Sequence, residues 1–149
     1  MMKRQQFIQQ CGLTCLGILG LGALTESCTP SRYLQMPING QNQLQVPLSA
    51  FITADKNGSP QYKRYLVVSN ERLNYPIVVY RKSAADYTAL LLRCSHQYNE
   101  LNVAGALLTC PAHGSEFDTT GKVVQGPAEE PLRAFPVTVE ERELLIYLS

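Results

Sequence analysis

Between Cys94 and Asp118 the chain reads CSHQYNELNVAGALLTCPAHGSEFD, a stretch that holds both histidines of the protein and two of its five cysteines. One residue separates Cys94 from His96 and two separate Cys110 from His113, so each of two short loops offers one thiolate and one imidazole. Any fold that uses this pattern has to bring the two loops together, which assembles four ligands for a metal. Their order bears on which metal. A structural zinc site commonly takes two cysteines from one knuckle and two histidines from another. Mixed arms suit a binuclear cluster in which one iron takes both sulfurs and the other both imidazoles. A zinc or mononuclear iron site on the same residues, and a metal-free pair of loops, stay open at this point.

The two boxes, C-x-H at Cys94 and His96 and C-x2-H at Cys110 and His113, resemble those of the Rieske family. His113-Gly114-Ser115 is similar to the end of that family's second box, and Gly126-Pro127-Ala128 to the proline loop that covers its cluster. The resemblance spans about the C-terminal two thirds of the chain and is strongest over residues 92 to 137. It implies a [2Fe-2S] cluster held by Cys94, His96, Cys110 and His113, and redox proteins as donor and acceptor. It also implies that the Ser115 hydroxyl bonds a bridging sulfide and that Gly114 and Pro127 shape the loops around the cluster. Two departures matter. Phe117 stands where high-potential members carry a tyrosine that hydrogen-bonds a ligand sulfur. Asn99 and Ala112 stand where that branch carries the cysteines of an inter-loop disulfide. With only 13 residues between His96 and Cys110, the resemblance implies a disulfide-free variant of lower potential. His113, Ser115 and Asp118 lie within six positions, too little by itself to make a hydrolase triad.

Around these loops the chain reads as strands. Residues 43 to 52 begin with alternating Leu44, Val46 and Leu48, with Pro47 favouring an edge or bend. A turn cluster follows at 55 to 60, then β-branched and aromatic runs at 62 to 69, 77 to 82 and 87 to 93. Ala89-Leu90-Leu91-Leu92 leads straight into Cys94, and residues 106 to 109 enter the second loop in the same way. Short strands are expected at 121 to 124, 134 to 140 and 143 to 148, the last two joined tightly through Glu140-Glu141-Arg142. No segment keeps a helical period. The expectation is an all-β fold, a Rieske-like antiparallel sandwich or barrel over residues 43 to 149 with a small cluster-binding subdomain inserted at about 92 to 128. Residues 29 to 42 mix Pro, Gly, Asn and Ser and read as a tether.

The first 28 residues are of another kind. Lys3 and Arg4 precede an apolar run from Cys11 to Leu24, too short for a membrane span but the right length for the core of an export signal. Leu24 to Cys28 resembles a bacterial lipobox, in which Cys28 would be acylated, and Lys3-Arg4 resembles a twin-arginine signal with one arginine. Location at the periplasmic face of a bacterial membrane follows, through a lipid or an uncleaved anchor. After residue 28 there are 11 basic and 11 acidic residues, which argues against a nucleic-acid partner. The leading reading is a one-electron carrier rather than a stand-alone catalyst. The alternatives are the small Rieske subunit of a quinol-oxidising or molybdenum enzyme complex, and a structural zinc module.

Overall fold

The computed structural model describes residues 33 to 149. The export signal, with Lys3, Arg4 and Cys28, lies outside the described residues, as do residues 29 to 32 of the expected tether. Fourteen short strands make up the rest. In chain order they begin with β1 (Leu34–Gln35), β2 (Gln43–Pro47), β3 (Ile52–Ala54), β4 (Pro60–Tyr62), β5 (Tyr65–Ser69), β6 (Ile77–Arg81) and β7 (Tyr87–Leu91). The second half contributes β8 (Asn102–Ala104), β9 (Leu107–Thr109), β10 (Glu116–Phe117), β11 (Val123–Gln125), β12 (Ala134–Phe135), β13 (Val137–Glu140) and β14 (Glu143–Tyr147). A 3-10 turn at Leu48–Phe51 follows Pro47, where an edge or bend was expected, and buries Phe51.

The strands form a five-stranded sheet, β1-β5-β6-β7-β12, a three-stranded sheet, β13-β14-β2, and a four-stranded sheet, β11-β10-β9-β8, with β3 and β4 as a separate hairpin. The five-stranded sheet is a wall with a core on each face. In β6, Ile77 and Val79 join one cluster of buried side chains with Leu44, Val46, Leu144 and Ile146 of the three-stranded sheet. The intervening Val78 and Tyr80 join a second cluster with Leu92, Leu108, Phe117, Cys94 and Cys110. Side chains of a strand alternate between faces, so a strand buried on both reads as an unbroken apolar run, and IVVY in β6 does. The alternation of Ala89 and Leu90 in β7 is the same device. The all-β fold with its cluster-binding subdomain is thus one continuous wall shared by two cores.

Three expectations need correction. Residues 29 to 42 are not a loose tether where they are described. Leu34 and Gln35 pair in parallel with Val68 and Ser69, Met36 is buried in the first core, and Asn70 Nδ2 donates to the Met36 carbonyl. Burial of Met36 and the pairing of both β1 residues stabilise an order that no local pattern announces. The β1-β5 pair is parallel, so the sheets are not wholly antiparallel. The run at 134 to 140 is also divided at Pro136, where the chain passes from β12 in the five-stranded sheet to β13 in the three-stranded one.

Gly121 pins the cluster-binding side to the wall. Its φ is +86°, a Cβ there would lie 3.0 Å from Leu90 Cδ2 and 3.3 Å from Leu132 Cβ, and its carbonyl accepts from Leu132 N. Gly121→Ala is expected to lower stability by about 2 kcal/mol or more through left-handed strain and overpacking, read as a drop in thermal midpoint. An unchanged midpoint would show that Leu90 and Leu132 relax at little cost.

Candidate metal centre

The two loops that carry the Cys/His pairs have one backbone design. Cys94 N donates to Asn99 O at 2.8 Å and Tyr98 N to Cys94 O at 2.9 Å. In the second loop Cys110 N donates to Ser115 O at 2.8 Å and Gly114 N to Cys110 O at 3.0 Å. Each loop therefore closes from its cysteine to the fifth residue on, with the fourth in left-handed conformation, Tyr98 at φ 59° and Gly114 at φ 77°. Gly114 takes that conformation freely, whereas Tyr98 bears a steric cost of about 1–2 kcal/mol. The Arg93 guanidinium lies 4.7 Å from the Tyr98 ring and 5.9 Å from Tyr75, which offsets part of it. Strand β7 and the Arg93–Glu100 bridge set the first loop on the wall, and β9 and β10 flank the second.

This loop geometry sorts the four side chains by depth. Cys94 is fully buried, Cys110 nearly so, and both are free thiols. His96 and His113 are exposed, their rings 5.0 Å apart and at 87° to one another. The structure thus pairs the two expected histidines through their exposed rings and the two expected cysteines in one buried cluster. Among the described residues, no three His, Cys, Asp or Glu side chains are placed to hold one metal ion. The donors are grouped two and two. Burial pushes the Cys110 thiol up, but the His113 and Ala112 amides and the Cys94 side chain outweigh it, and the net direction is down. A thiol favoured as thiolate is what an iron ligand requires.

Ser115 also fits a cluster. It is fully buried and accepts from Ala128 N at 3.0 Å, and no protein acceptor among the described residues takes its own O–H. A buried hydroxyl proton left unspent is costly unless something else accepts it, and the sulfide of a cluster can. Phe117 is fully buried in the second core with both cysteines and offers no donor. Residues 126 to 130 bridge both loops, through Ala128 N to Ser115 Oγ and Ser95 Oγ to Glu130 O at 2.6 Å. Gln125 Nε2 also holds Gly114 O at 3.1 Å. Ser95 and Gln125 escaped the sequence reading because their partners are 35 and 11 residues away.

Other expected residues are placed as follows. Pro127 follows a cis peptide bond and is exposed. Asn99 and Ala112 cannot form a disulfide, and Asn99 Nδ2 reaches only Gln97 O at 3.4 Å. The Asp118 carboxylate turns into its own loop, accepting from Thr120 and Lys122 N. Burial raises its pKa, yet those bonds and the Lys122 charge bring the net direction down. With Ser115 bonded to Ala128 instead, no triad joins His113, Ser115 and Asp118.

An all-β wall that presents two such loops, thiols inside and imidazoles outside, is the architecture of an iron–sulfur domain. The Rieske [2Fe-2S] domain model matches residues 56 to 136, and the chain belongs to that family. Its cofactor is a [2Fe-2S] cluster, and its chemistry is electron transfer. The cytochrome b6-f complex iron-sulfur subunit of Synechococcus elongatus is 46% identical over 46 residues, covering 31% of this chain and 26% of that protein. The oxygenase component of dicamba O-demethylase from Stenotrophomonas maltophilia is 35% identical over 86 residues, covering 51% and 25%. The matches thus span about a quarter of the length of these curated relatives. In structure, the carbazole 1,9a-dioxygenase oxygenase–ferredoxin complex matches at 23% identity with a TM-score of 0.51, over 72% of this chain and 94% of that one. That likeness supports the fold.

Proposed function

We propose that Cys94 and Cys110 hold one iron of the [2Fe-2S] cluster and His96 and His113 the other, and that the protein is a one-electron carrier. On this reading it works at the outer face of a bacterial membrane, held there through its N-terminus, with the exposed edges of His96 and His113 as the port for electrons. The observation that carries it is the depth order of the four side chains: buried thiols, exposed imidazoles. The cluster, when bound, takes up and returns one electron. The chain's own residues do the rest. The wall and the apolar shell of Leu92, Leu108 and Phe117 keep water from the sulfur side, and the Ser115 hydroxyl and loop amides aim donors at sulfur.

Donor number around the sulfurs supports a potential below that of quinol-oxidising relatives. Phe117→Tyr is expected to move the midpoint upward by on the order of 50 mV, the size of one added hydrogen bond in a one-electron couple. An EPR-monitored redox titration reads it, and no shift or a downward one would remove Phe117 from this role. Membrane attachment is tested by mass spectrometry of the native protein: an acylated N-terminus at Cys28 supports it, and an unmodified N-terminus upstream of that residue removes the lipoprotein form.

A second reading, a small subunit of a larger oxidoreductase, is favoured by the relatives themselves, one described as a subunit of the cytochrome b6-f complex and the other as an oxygenase component. Partners recovered from detergent-solubilised membranes separate it from a free carrier.

A further inference from the structure

We propose that a groove lined by three arginines, at the end of the wall that carries the cluster loops, is the docking surface for a redox protein with an acidic face. The groove holds about 210 Å³. Arg72 and Tyr75 reach it from the β5–β6 turn, Arg93 from the end of β7 beside Cys94, and Arg133 from the residue before β12. Ile77 pairs with Leu91, and Leu92 N donates to Pro76 O at 2.9 Å, which sets the β5–β6 turn level with the first cluster loop. No acidic side chain lines the groove, and among the described residues none of the three guanidiniums has a carboxylate partner.

Two of the three are held in place. Arg93 stands between the Tyr75 and Tyr98 rings, and Tyr98 belongs to the same loop as His96. Arg133 lies over the Phe135 ring at 4.8 Å and donates to Leu148 O at 3.1 Å, while its own carbonyl accepts from Leu91 N. A stacked guanidinium keeps its charge and most of its N–H groups, and that fork fits a carboxylate in two-point contact. Arg72 is exposed. The nearby carboxylates are placed otherwise: Tyr33 donates to Glu100, and Glu71, Glu129 and Glu130 are exposed outside the groove.

A protein fits this place better than a small anion does, a step that rests on the electron-carrier reading above. The volume is below the ~300–1,000 Å³ typical of small-molecule sites. Arg72 and Arg133 are exposed, so they can meet carboxylates that project from another surface. A donor or acceptor has to approach the exposed edges of His96 and His113, and it then covers the end of the wall where the groove lies. Complementary charges at the rim of such a contact raise the rate of encounter, most steeply at low ionic strength.

The test follows one electron from the reduced cluster to the ferric haem of cytochrome c, by stopped flow with the full-length holoprotein. Cytochrome c is used native, with its lysine-rich face, and succinylated, which makes that face acidic around the same haem. At low salt Arg72→Glu is expected to slow reduction of the succinylated form about threefold or more without slowing that of the native form, and high salt to remove the difference. Lys82→Glu makes the same change in net charge at the far end of β6, and it is expected to leave both rates as they were. Visible spectrum and midpoint potential stay unchanged in both variants. No slowing by Arg72→Glu, or equal slowing by Lys82→Glu, would overturn the surface and leave the carrier reading standing. As large a slowing with hexacyanoferrate(III) would show a site for any small anion and overturn protein docking. A reduced cluster that passes its electron to none of the three oxidants would overturn the carrier reading itself, and the surface with it.

Discussion

Cys110→Ser is expected to lower bound iron by at least tenfold and to loosen one half of the protein while sparing the other. Serine replaces the thiol by a smaller hydroxyl that does not ionise as a thiol does, so the amides of Ala112 and His113 that favour the Cys110 thiolate lose an anionic acceptor. The unevenness follows from the two cores. Cys94 and Cys110 are themselves packed members of the second core, with Leu92, Leu101, Leu108 and Phe117. The first core, from Leu44 and Val46 to Leu144 and Ile146, does not include them. Without the cluster, the loops closed by Cys94 and Cys110 lose the ligand that joins them. Peptide-resolved hydrogen exchange should then show faster exchange over residues 94 to 130 and unchanged protection in β2, β5 and β14. Uniform loss of protection would mean that the wall does not separate the two cores, and retained iron would remove Cys110 from the ligand set.

The second large effect is expected from the clasp that holds the two loops and residues 126 to 130 together. With Asn99 and Ala112 no disulfide can link the loops at those positions, and two side-chain hydroxyls take up the task. Ser95 fastens the first loop to Glu130 O, and Ser115 fastens the second to Ala128 N. Ser95→Ala removes one hydrogen bond at an accessible position, about 1 kcal/mol. Ser115→Ala costs more, because the hydroxyl is fully buried and Ala128 N is left without a partner, about 1–3 kcal/mol. The double variant is expected to lose roughly 3 kcal/mol, more than a hundredfold in the equilibrium between closed and open loops, and to shed its cluster correspondingly faster under chelator. Ser95→Thr keeps the hydroxyl and should retain most of the closed state. The single variants also differ in kind. Ser115→Ala should lower the midpoint potential because a donor near sulfur is gone, whereas Ser95→Ala should change cluster lifetime with little change in potential. Equal potential shifts in the two would contradict this division.

Much of this architecture was legible in the residues because the signals are local. Cys94-x-His96 and Cys110-x2-His113 carry their chemistry in spacing alone, and the apolar runs entering them mark β7 and β9. The IVVY run in β6 identified a strand, but which core each face serves depends on what packs there, and the segments involved are far apart in sequence. The docking of residues 33 to 36 was hidden for the same reason. Leu34 and Gln35 form a strand only because β5 lies beside them in parallel, and a polar, proline-containing segment gives no period to betray it. The kinship of the two loops was hidden differently. Gly114 announces a left-handed residue, but its counterpart is Tyr98, a residue type that rarely adopts that conformation. The Ser95 and Ser115 bonds could not be read at all, since a serine looks alike whether it faces water or a carbonyl 35 residues away.

The cluster proposed for this protein has two irons, the outer one held by two imidazoles. Holoprotein labelled with nitrogen-15 at histidine, reduced by one electron, measures it through the nitrogen couplings in its pulsed EPR spectrum. About two irons and two acid-labile sulfides per chain are expected, with couplings from two nitrogens that change on isotope substitution and are lost in part when either His96 or His113 is replaced. A colourless protein with a single zinc, or a cluster without histidine nitrogen couplings, would contradict the account.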